Sequence, residues 1–78
     1  GARFILIKRS SASGDGWFTF DSVRGIVAGN DPFLYLNDTQ AEFTSYDAID
    51  PYSAGFTVTT ALGGLNTNGS TYIFYAIA

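Results

Sequence analysis

The chain has 78 residues, a formal net charge of −3, and hydrophobic and aromatic fractions of 46% and 17%. This length allows one small domain, and so high an apolar content indicates a folded chain rather than a disordered one. The sequence contains no cysteine and no histidine, which excludes disulfides, the usual zinc sites and histidine-based acid–base catalysis.

The charged residues are few and unevenly placed. The four basic residues are Arg3, Lys8, Arg9 and Arg24, and five of the seven acids follow them with no further cation. A nucleic-acid partner is not expected, because phosphate binding needs clustered positive charge. The apolar runs are too short to span a bilayer, so the sequence predicts no membrane insertion.

Five segments are typical of β-strands because they are rich in β-branched and aromatic residues and are separated by Gly, Asn, Asp and Pro. In chain order they are Arg3–Arg9, Trp17–Phe20, Phe33–Leu36, Phe56–Thr60 and Thr71–Ile77. No window shows helical periodicity. The pattern predicts an all-β fold, a small antiparallel β-sandwich with a jelly-roll-like arrangement.

The last of these segments is the one around which the others are expected to pack. Asn68-Gly69 suits a tight turn, and Thr71–Ile77 is then an uncharged run of β-branched and aromatic residues. Because neither face of such a strand suits water, it is predicted to be a central strand buried on both sides.

The stretch Thr39–Ala54 is the least regular part of the chain. It predicts at most a short strand near Glu42–Tyr46, followed by a surface loop, because Pro51 lacks the N–H that a ladder requires. A glycine-rich connection, Ala61–Leu65, leads from the strand Phe56–Thr60 to the terminal strand.

Methionine is absent from the sequence. This indicates a processed product or the ordered part of a longer chain, and an ending inside a strand-like run favours the second. Residues 1–78 are therefore expected to form a single β-sandwich domain within a longer protein.

Five segments in this order resemble repeated β domains of bacteriophage structural proteins, notably from phages of marine bacteria and cyanobacteria. The segments are Phe4–Arg9, Gly16–Gly25 with its W-x-x-x-D-x-x-R pattern, Leu34–Asn37, Gly55–Val58 and Asn68–Ala78. Such domains occur in tail, fibre and other virion proteins. The resemblance implies a concanavalin-like or jelly-roll sandwich at the virion surface, outside the cell, and it supplies no catalytic residues.

Catalysis is not predicted from the residues either. Glu42, Asp47 and Asp50 are the only closely spaced acids that a glycosidase could use, and the serines have no histidine partner. No cofactor is expected.

Sugar recognition is the alternative that one loop suggests. Tyr46, Asp47, Asp50 and Tyr52 combine two aromatic rings with two carboxylates, and these four are candidate glycan contacts. The competing interpretation is that the tyrosines cap the sandwich while the acids keep the loop soluble. The two aspartates are also hard oxygen ligands of the kind that Ca²⁺ takes, but their spacing matches no calcium loop, and no metal site is predicted.

The function expected from the sequence is that of a non-enzymatic virion structural domain in a tail, fibre or capsid appendage, with host-surface attachment as a further role. A carbohydrate-binding module and a self-assembling extracellular filament subunit are the alternatives. Because most strands are apolar on both faces, an obligate homo-oligomer is predicted, a trimer if the domain belongs to a fibre. Partners would be other copies, other virion proteins and a host-surface glycan. The candidate interface residues are Trp17, Phe18, Phe20, Tyr72, Phe74 and Tyr75.

Overall fold

The fold consists of two antiparallel β-sheets that share one apolar core. The computed structural model describes residues 1–59 and 65–78. Within those residues there are six strands and no helix: β1 (Phe4–Arg9), β2 (Phe18–Asp21), β3 (Leu34–Tyr35), β4 (Ile49–Tyr52), β5 (Gly55–Val58) and β6 (Tyr72–Ile77). The larger sheet has the order β3-β2-β1-β6, and β4 pairs with β5 in the smaller one.

Strand β1 holds the larger sheet together because it is paired on both sides. Ile5 lies opposite Phe20 of β2 and opposite Ala76 of β6, and all pairings are antiparallel. Alternation along β1 sends Ile5 and Ile7 inward, where both are buried, while Leu6 on the other face is half-buried.

The core lies between the sheets and is formed by eight buried apolar residues. These are Ile5, Ile7, Phe18, Phe20, Phe33, Ala48, Ile49 and Leu65. Since Ile49 belongs to the smaller sheet and Ile5 to the larger one, burial of these side chains fixes the two sheets against each other. The prediction of an all-β, antiparallel sandwich is confirmed.

Strand β4 corrects the prediction for the irregular stretch. The expected strand near Glu42–Tyr46 is reduced to a single bridge between Phe43 and Phe33, and the strand instead includes Pro51. Thr59 N–H donates to Ala48 O at 3.0 Å, which makes these two residues a hydrogen-bonded pair.

Alternation from that pair places Pro51 opposite Phe56 at a non-hydrogen-bonded position. The proline therefore removes no bond from the ladder, and this explains why a strand tolerates it. The predicted strand end at Thr60 and the glycine-rich residues 61–64 lie outside the described residues.

The prediction of a central, doubly buried terminal strand is wrong. Within the described residues β6 is the last strand of its sheet, and Ile73, Phe74, Tyr75 and Ile77 are 50%, 66%, 60% and 42% exposed. The central position is taken by β1, which has its own apolar run, Phe4–Ile7, and lies between β2 and β6. The turn before β6 forms as expected: Gly69 has a φ of 84°, and Ser70 N–H donates to Thr67 O at 3.1 Å.

The described residues include no helix that is long and apolar enough to cross a bilayer.

Candidate functional site

The outward face of the larger sheet carries an apolar surface beside the terminal strand. Register places Ile73 opposite Lys8, Tyr75 opposite Leu6, and Ile77 opposite Phe4. Cross-strand partners in an antiparallel pair point to the same face, so the apolar side chains form one surface. We call it the outer patch: Phe4, Leu6, Ile73, Tyr75 and Ile77. Its members are apolar strand residues of the kind that is usually buried, yet all five are at least partly exposed.

The free edge of β6 is the second feature of this surface. Ser10 N–H donates to Thr71 O at 2.8 Å, and Arg3 N–H donates to Ile77 O at 2.6 Å, so the odd-numbered residues direct their backbone groups toward β1. Alternation then turns the N–H and C=O groups of Tyr72, Phe74 and Ala76 away from β1. No strand of the described residues pairs on that side.

A shallow groove lies along the inner side of this edge. Its volume is about 370 Å³, and it is lined by Tyr52, Ala54, Gly55, Phe56, Phe74 and Ala76. Phe74 meets Phe56 in an edge-to-face contact with ring centroids 5.4 Å apart. The edge of β6 is therefore apolar on the inner side as well as on the outer patch, and the strand itself carries no charge.

The predicted interface residues divide into two groups. Phe74 and Tyr75 are exposed on β6, and Tyr72 and Trp17 are half-buried. Phe18 and Phe20 are only 2% and 0% exposed within the single chain, so their inclusion in an interface is wrong. Both point inward from β2 and pack against Phe33, with ring centroids 5.2 and 5.5 Å from it. No surface remains on them for a partner to cover.

The structure gives the two tyrosines of the candidate glycan loop separate surroundings. Tyr46 precedes β4 and packs against Phe33 and Phe43, with centroid distances of 5.8 and 6.4 Å. Tyr52 ends β4 and lines the groove beside Phe74. The ring contacts of Tyr46 agree with the interpretation that it caps the sandwich. Tyr52 instead lies on the surface near β6.

The two aspartates of that loop join a third acid that the sequence did not single out. One carboxylate oxygen each from Asp31, Asp47 and Asp50 lies within 4.8 Å of the others. Asp31 is fully buried and accepts hydrogen bonds from Val27 N–H at 2.8 Å and Ile49 N–H at 3.1 Å. These three are the residues that could hold a hard cation such as Ca²⁺.

Electrostatics at this cluster follow from the burial of Asp31. Burial raises the pKa of the Asp31 carboxyl, the two backbone N–H donors lower it, and the charge of Asp47 raises it further. Asp50 Oδ1 is buried and has no hydrogen-bond partner among the described residues. The hydrogen bonds of Asp31 give it a structural role, since they tie the segment after β2 to the start of β4.

The structure also contains a polar depression between two loops, which the sequence did not indicate. It lies between the β1–β2 loop and the segment after β3, and Tyr35, Asn37, Asp38 and Gln40 contribute to its wall. Only the order in which the strands pair brings these loops together, so no spacing in the sequence indicated it.

Comparison with known protein families gives a match over almost the whole chain. A family described as a domain of unknown function, DUF7483, matches residues 2–78. No curated protein and no solved structure matches the chain. Because the match spans nearly every residue, the chain belongs to the DUF7483 family.

Proposed function

We propose that this chain is a non-enzymatic structural domain of a bacteriophage virion that works by associating with further copies of itself and with other virion proteins. The observation that supports the proposal is the exposed, uncharged strand β6 with its outward-directed backbone groups. The resemblance of five segments to phage tail and fibre domains supplies the setting. Host-surface attachment is a further role of the same domain.

A second copy is the occupant that fits the edge of β6 best. Antiparallel pairing centred on Phe74 would join the backbone groups of Tyr72, Phe74 and Ala76 to Ala76, Phe74 and Tyr72 of the copy. The strand has no charge to repel itself, and charged residues are the usual device that keeps sheet edges apart. The two Phe74 rings would then lie on the same face and cover the inner groove.

The area required is compatible with a domain of this size. A stable interface buries roughly 800 Å² per partner, which is about a sixth of the accessible surface of 4566 Å². The outer patch and the edge of β6 are contiguous, and pairing centred on Phe74 would place Ile73 and Tyr75 beside Tyr75 and Ile73 of the copy. This geometry favours a two-fold pair as the smallest unit over the trimer expected for a fibre.

Sedimentation analysis at micromolar concentration tests the association. The wild-type chain is expected at a mass of at least twice 8.4 kDa, and Tyr75→Lys, which places a charge in the outer patch, is expected at the monomer mass with its β-sheet circular dichroism retained. Val23→Lys is the matched control, because Val23 is an apolar residue that is 95% exposed and lies outside β6. A folded wild-type monomer would overturn the proposal, and a mass that grows without limit would favour the filament alternative.

The virion setting needs its own test. An antibody against the chain, applied to purified particles of the phage that encodes it, is expected to label tails, fibres or capsid appendages in electron micrographs. Label confined to infected-cell material that lacks particles would remove the virion from the proposal and leave the association intact.

A further inference from the structure

A depression of about 580 Å³ opens between the β1–β2 loop and the segment that follows β3. Its principal lining residues are Gly16, Tyr35, Asn37, Asp38, Gln40 and Phe43. The volume falls within the range of about 300–1,000 Å³ that is common for small-molecule sites. No residue of β6 lines it, so it is separate from the surface proposed for association.

The inner wall of this depression is aromatic and fixed. The rings of Tyr35 and Phe43 meet edge to face with centroids 5.3 Å apart. Phe33, which is buried, stacks on Phe43 at 5.1 Å with an interplanar angle of 11°. Because both lining rings pack against the core, they form a preorganised platform rather than a collapsing surface.

The backbone of Gly16 packs closely against the Tyr35 ring. A Cβ atom at this position would lie 2.4 Å from Cδ1 of that ring, so any other residue would displace the ring or cover it. The backbone of Gly16 is not in the left-handed region. Glycine is therefore needed here because of the close approach, which lets the β1–β2 loop pack directly against the Tyr35 ring at the wall of the depression.

The polar wall opposite the rings is held by hydrogen bonds between the two loops. Asn37 Oδ1 accepts a hydrogen bond from Trp17 N–H at 3.0 Å, which fixes the side-chain amide and leaves its NH₂ group for another acceptor. Leu36 N–H donates to Trp17 O at 3.0 Å, so the same two segments are tied twice.

Asp38 and Gln40, which follow Asn37 in the same segment, form a hydrogen-bonded pair of polar side chains. Gln40 Nε2 donates to Asp38 Oδ2 at 3.0 Å, and Thr39 N–H donates to Asp38 Oδ1 at 2.7 Å. Each carboxylate oxygen keeps acceptor capacity beyond these bonds. The wall thus offers a carboxylate, a carboxamide and an amide NH₂ within one short segment, which suits a ligand with several neighbouring hydroxyl groups.

The charged residues around the depression indicate which class of ligand it can bind. Asp15 at the rim is paired with Arg9 at 2.6 Å, so these two charges offset each other. Asp38 has no ion-pair partner among the described residues and leaves the depression with a net negative charge. An anionic sugar would meet this carboxylate unfavourably, whereas a neutral sugar would use it as an acceptor.

We propose that this depression binds a neutral pyranose saccharide, with one face of the sugar ring against Tyr35 and its hydroxyl groups bonded to Asn37, Asp38 and Gln40. The C–H face of a pyranose is apolar and matches an aromatic ring, while its edge carries the hydroxyl groups. The saccharide is placed on a host surface only through the attachment role proposed above, and its binding does not depend on self-association.

This site differs from the loop that the sequence suggested. Tyr46 packs against the aromatic core, and Tyr52 lies at the groove beside β6. The aromatic ring and the hydroxyl-binding groups instead come from residues 35–40, and the β1–β2 loop closes the other side of the depression.

Amide chemical shifts of the wild-type chain provide the direct test. Methyl glycosides of glucose, galactose, mannose and N-acetylglucosamine are the neutral probes, and glucuronic and sialic acids are the anionic ones. At least one neutral glycoside is expected to give saturable shifts at Gly16 and residues 35–40. The inference is overturned if no neutral probe does so at about 10 mM, where a dissociation constant of about 1 mM would give near saturation. It is also overturned if the shifts lie at residues 46–52 or if an anionic sugar binds more tightly.

Binding measurements on variants then identify which side chains contact the sugar. Gln40→Ala and Asp38→Ala are each expected to weaken binding by about tenfold, the usual scale for losing a hydrogen bond to a polar ligand. Tyr52→Ala is expected to leave binding unchanged, and unchanged binding in both pocket variants would overturn the assignment. Tyr75→Lys separates the two proposals, because a dissociated chain that still binds the glycoside supports the pocket whatever the state of association.

Discussion

The ring of Phe74 on β6 meets the ring of Phe56 on β5 edge to face, with centroids 5.4 Å apart and an interplanar angle of 84°. This contact joins the two sheets at the side where the larger sheet ends. Because Phe74 is 66% exposed, the contact is only partly shielded from water. A modest interaction between these two rings therefore holds the two sheets together at the open side of the sandwich.

A double-mutant cycle measures that interaction. Phe56→Ala and Phe74→Ala, made singly and together in the Tyr75→Lys background so that association does not contribute, are expected to show a coupling of about 0.5 kcal/mol, at the low end for aromatic pairs. Urea unfolding followed by circular dichroism gives the four free energies. Additive effects would mean that the two rings do not hold the sheets together.

Phe20 provides the opposite case, since it was expected at an interface and lies in the core. Phe20→Ala is predicted to cost about 3–5 kcal/mol, because it removes a buried ring and leaves a cavity. A domain of this size has only about 3–5 kcal/mol to lose, so the variant should be largely unfolded by circular dichroism at 25 °C. Phe74→Ala is the matched control and should remain folded. A folded Phe20→Ala that had merely dissociated would restore the interface prediction.

The strands that the sequence predicted best are those with long apolar runs. Phe4–Arg9 and Tyr72–Ile77 agree with the prediction to within a residue, because β-branched and aromatic composition is a local property. Which of them is central is not local. Both contain an uncharged apolar run, Phe4–Ile7 in β1 and Tyr72–Ile77 in β6, and only the pairing of β1 with β2 as well as β6 decides it.

The other differences between the sequence predictions and the structure also have specific physical causes. Pro51 predicts a loop because it lacks an N–H, but the missing donor matters only at hydrogen-bonded positions, and register is not visible in the sequence. Asp31 has no distinguishing pattern in the sequence, whereas in the structure its carboxylate is buried and accepts hydrogen bonds from backbone N–H groups of two segments. The polar depression depends on loops brought together by tertiary structure, so Asp38 and Gln40 gave no signal of their own.

Acidification should reveal the buried carboxyl of Asp31. Its pKa is raised above the ordinary 3.8, chiefly by burial. An acid with a raised pKa in the folded state is protonated more readily there than in the unfolded chain, so its contribution to stability falls as pH rises through the window above 3.8. Relative to Asp31→Asn, the wild-type chain is therefore expected to gain free energy of unfolding as pH is lowered from 7 toward 4, as measured by urea unfolding.

Asp21 supplies the control with the opposite sign. Its pKa is lowered, mainly by the hydrogen bond from Arg24 N–H, so its contribution is present above 3.8 and is lost as pH falls through the lowered value. Asp21→Asn should thus differ from the wild type most strongly above pH 3.8 and converge with it below. A difference between the wild type and Asp31→Asn that stays flat from pH 7 to 4 would contradict the burial argument.

Substitutions at three glycines test whether glycine is required for lack of space or for its backbone conformation. Gly16→Ala places a Cβ 2.4 Å from the Tyr35 ring without backbone strain and is predicted to cost about 1–3 kcal/mol through overpacking. Gly69→Ala meets nothing within 4 Å but forces a φ of 84° on an L-residue, at a cost of about 1–2 kcal/mol. Gly29→Ala has neither constraint and is expected to be neutral or slightly stabilising. Urea midpoints rank the three, and Tyr35→Ala should relieve the penalty at Gly16 but leave that at Gly69, because only the first depends on the ring.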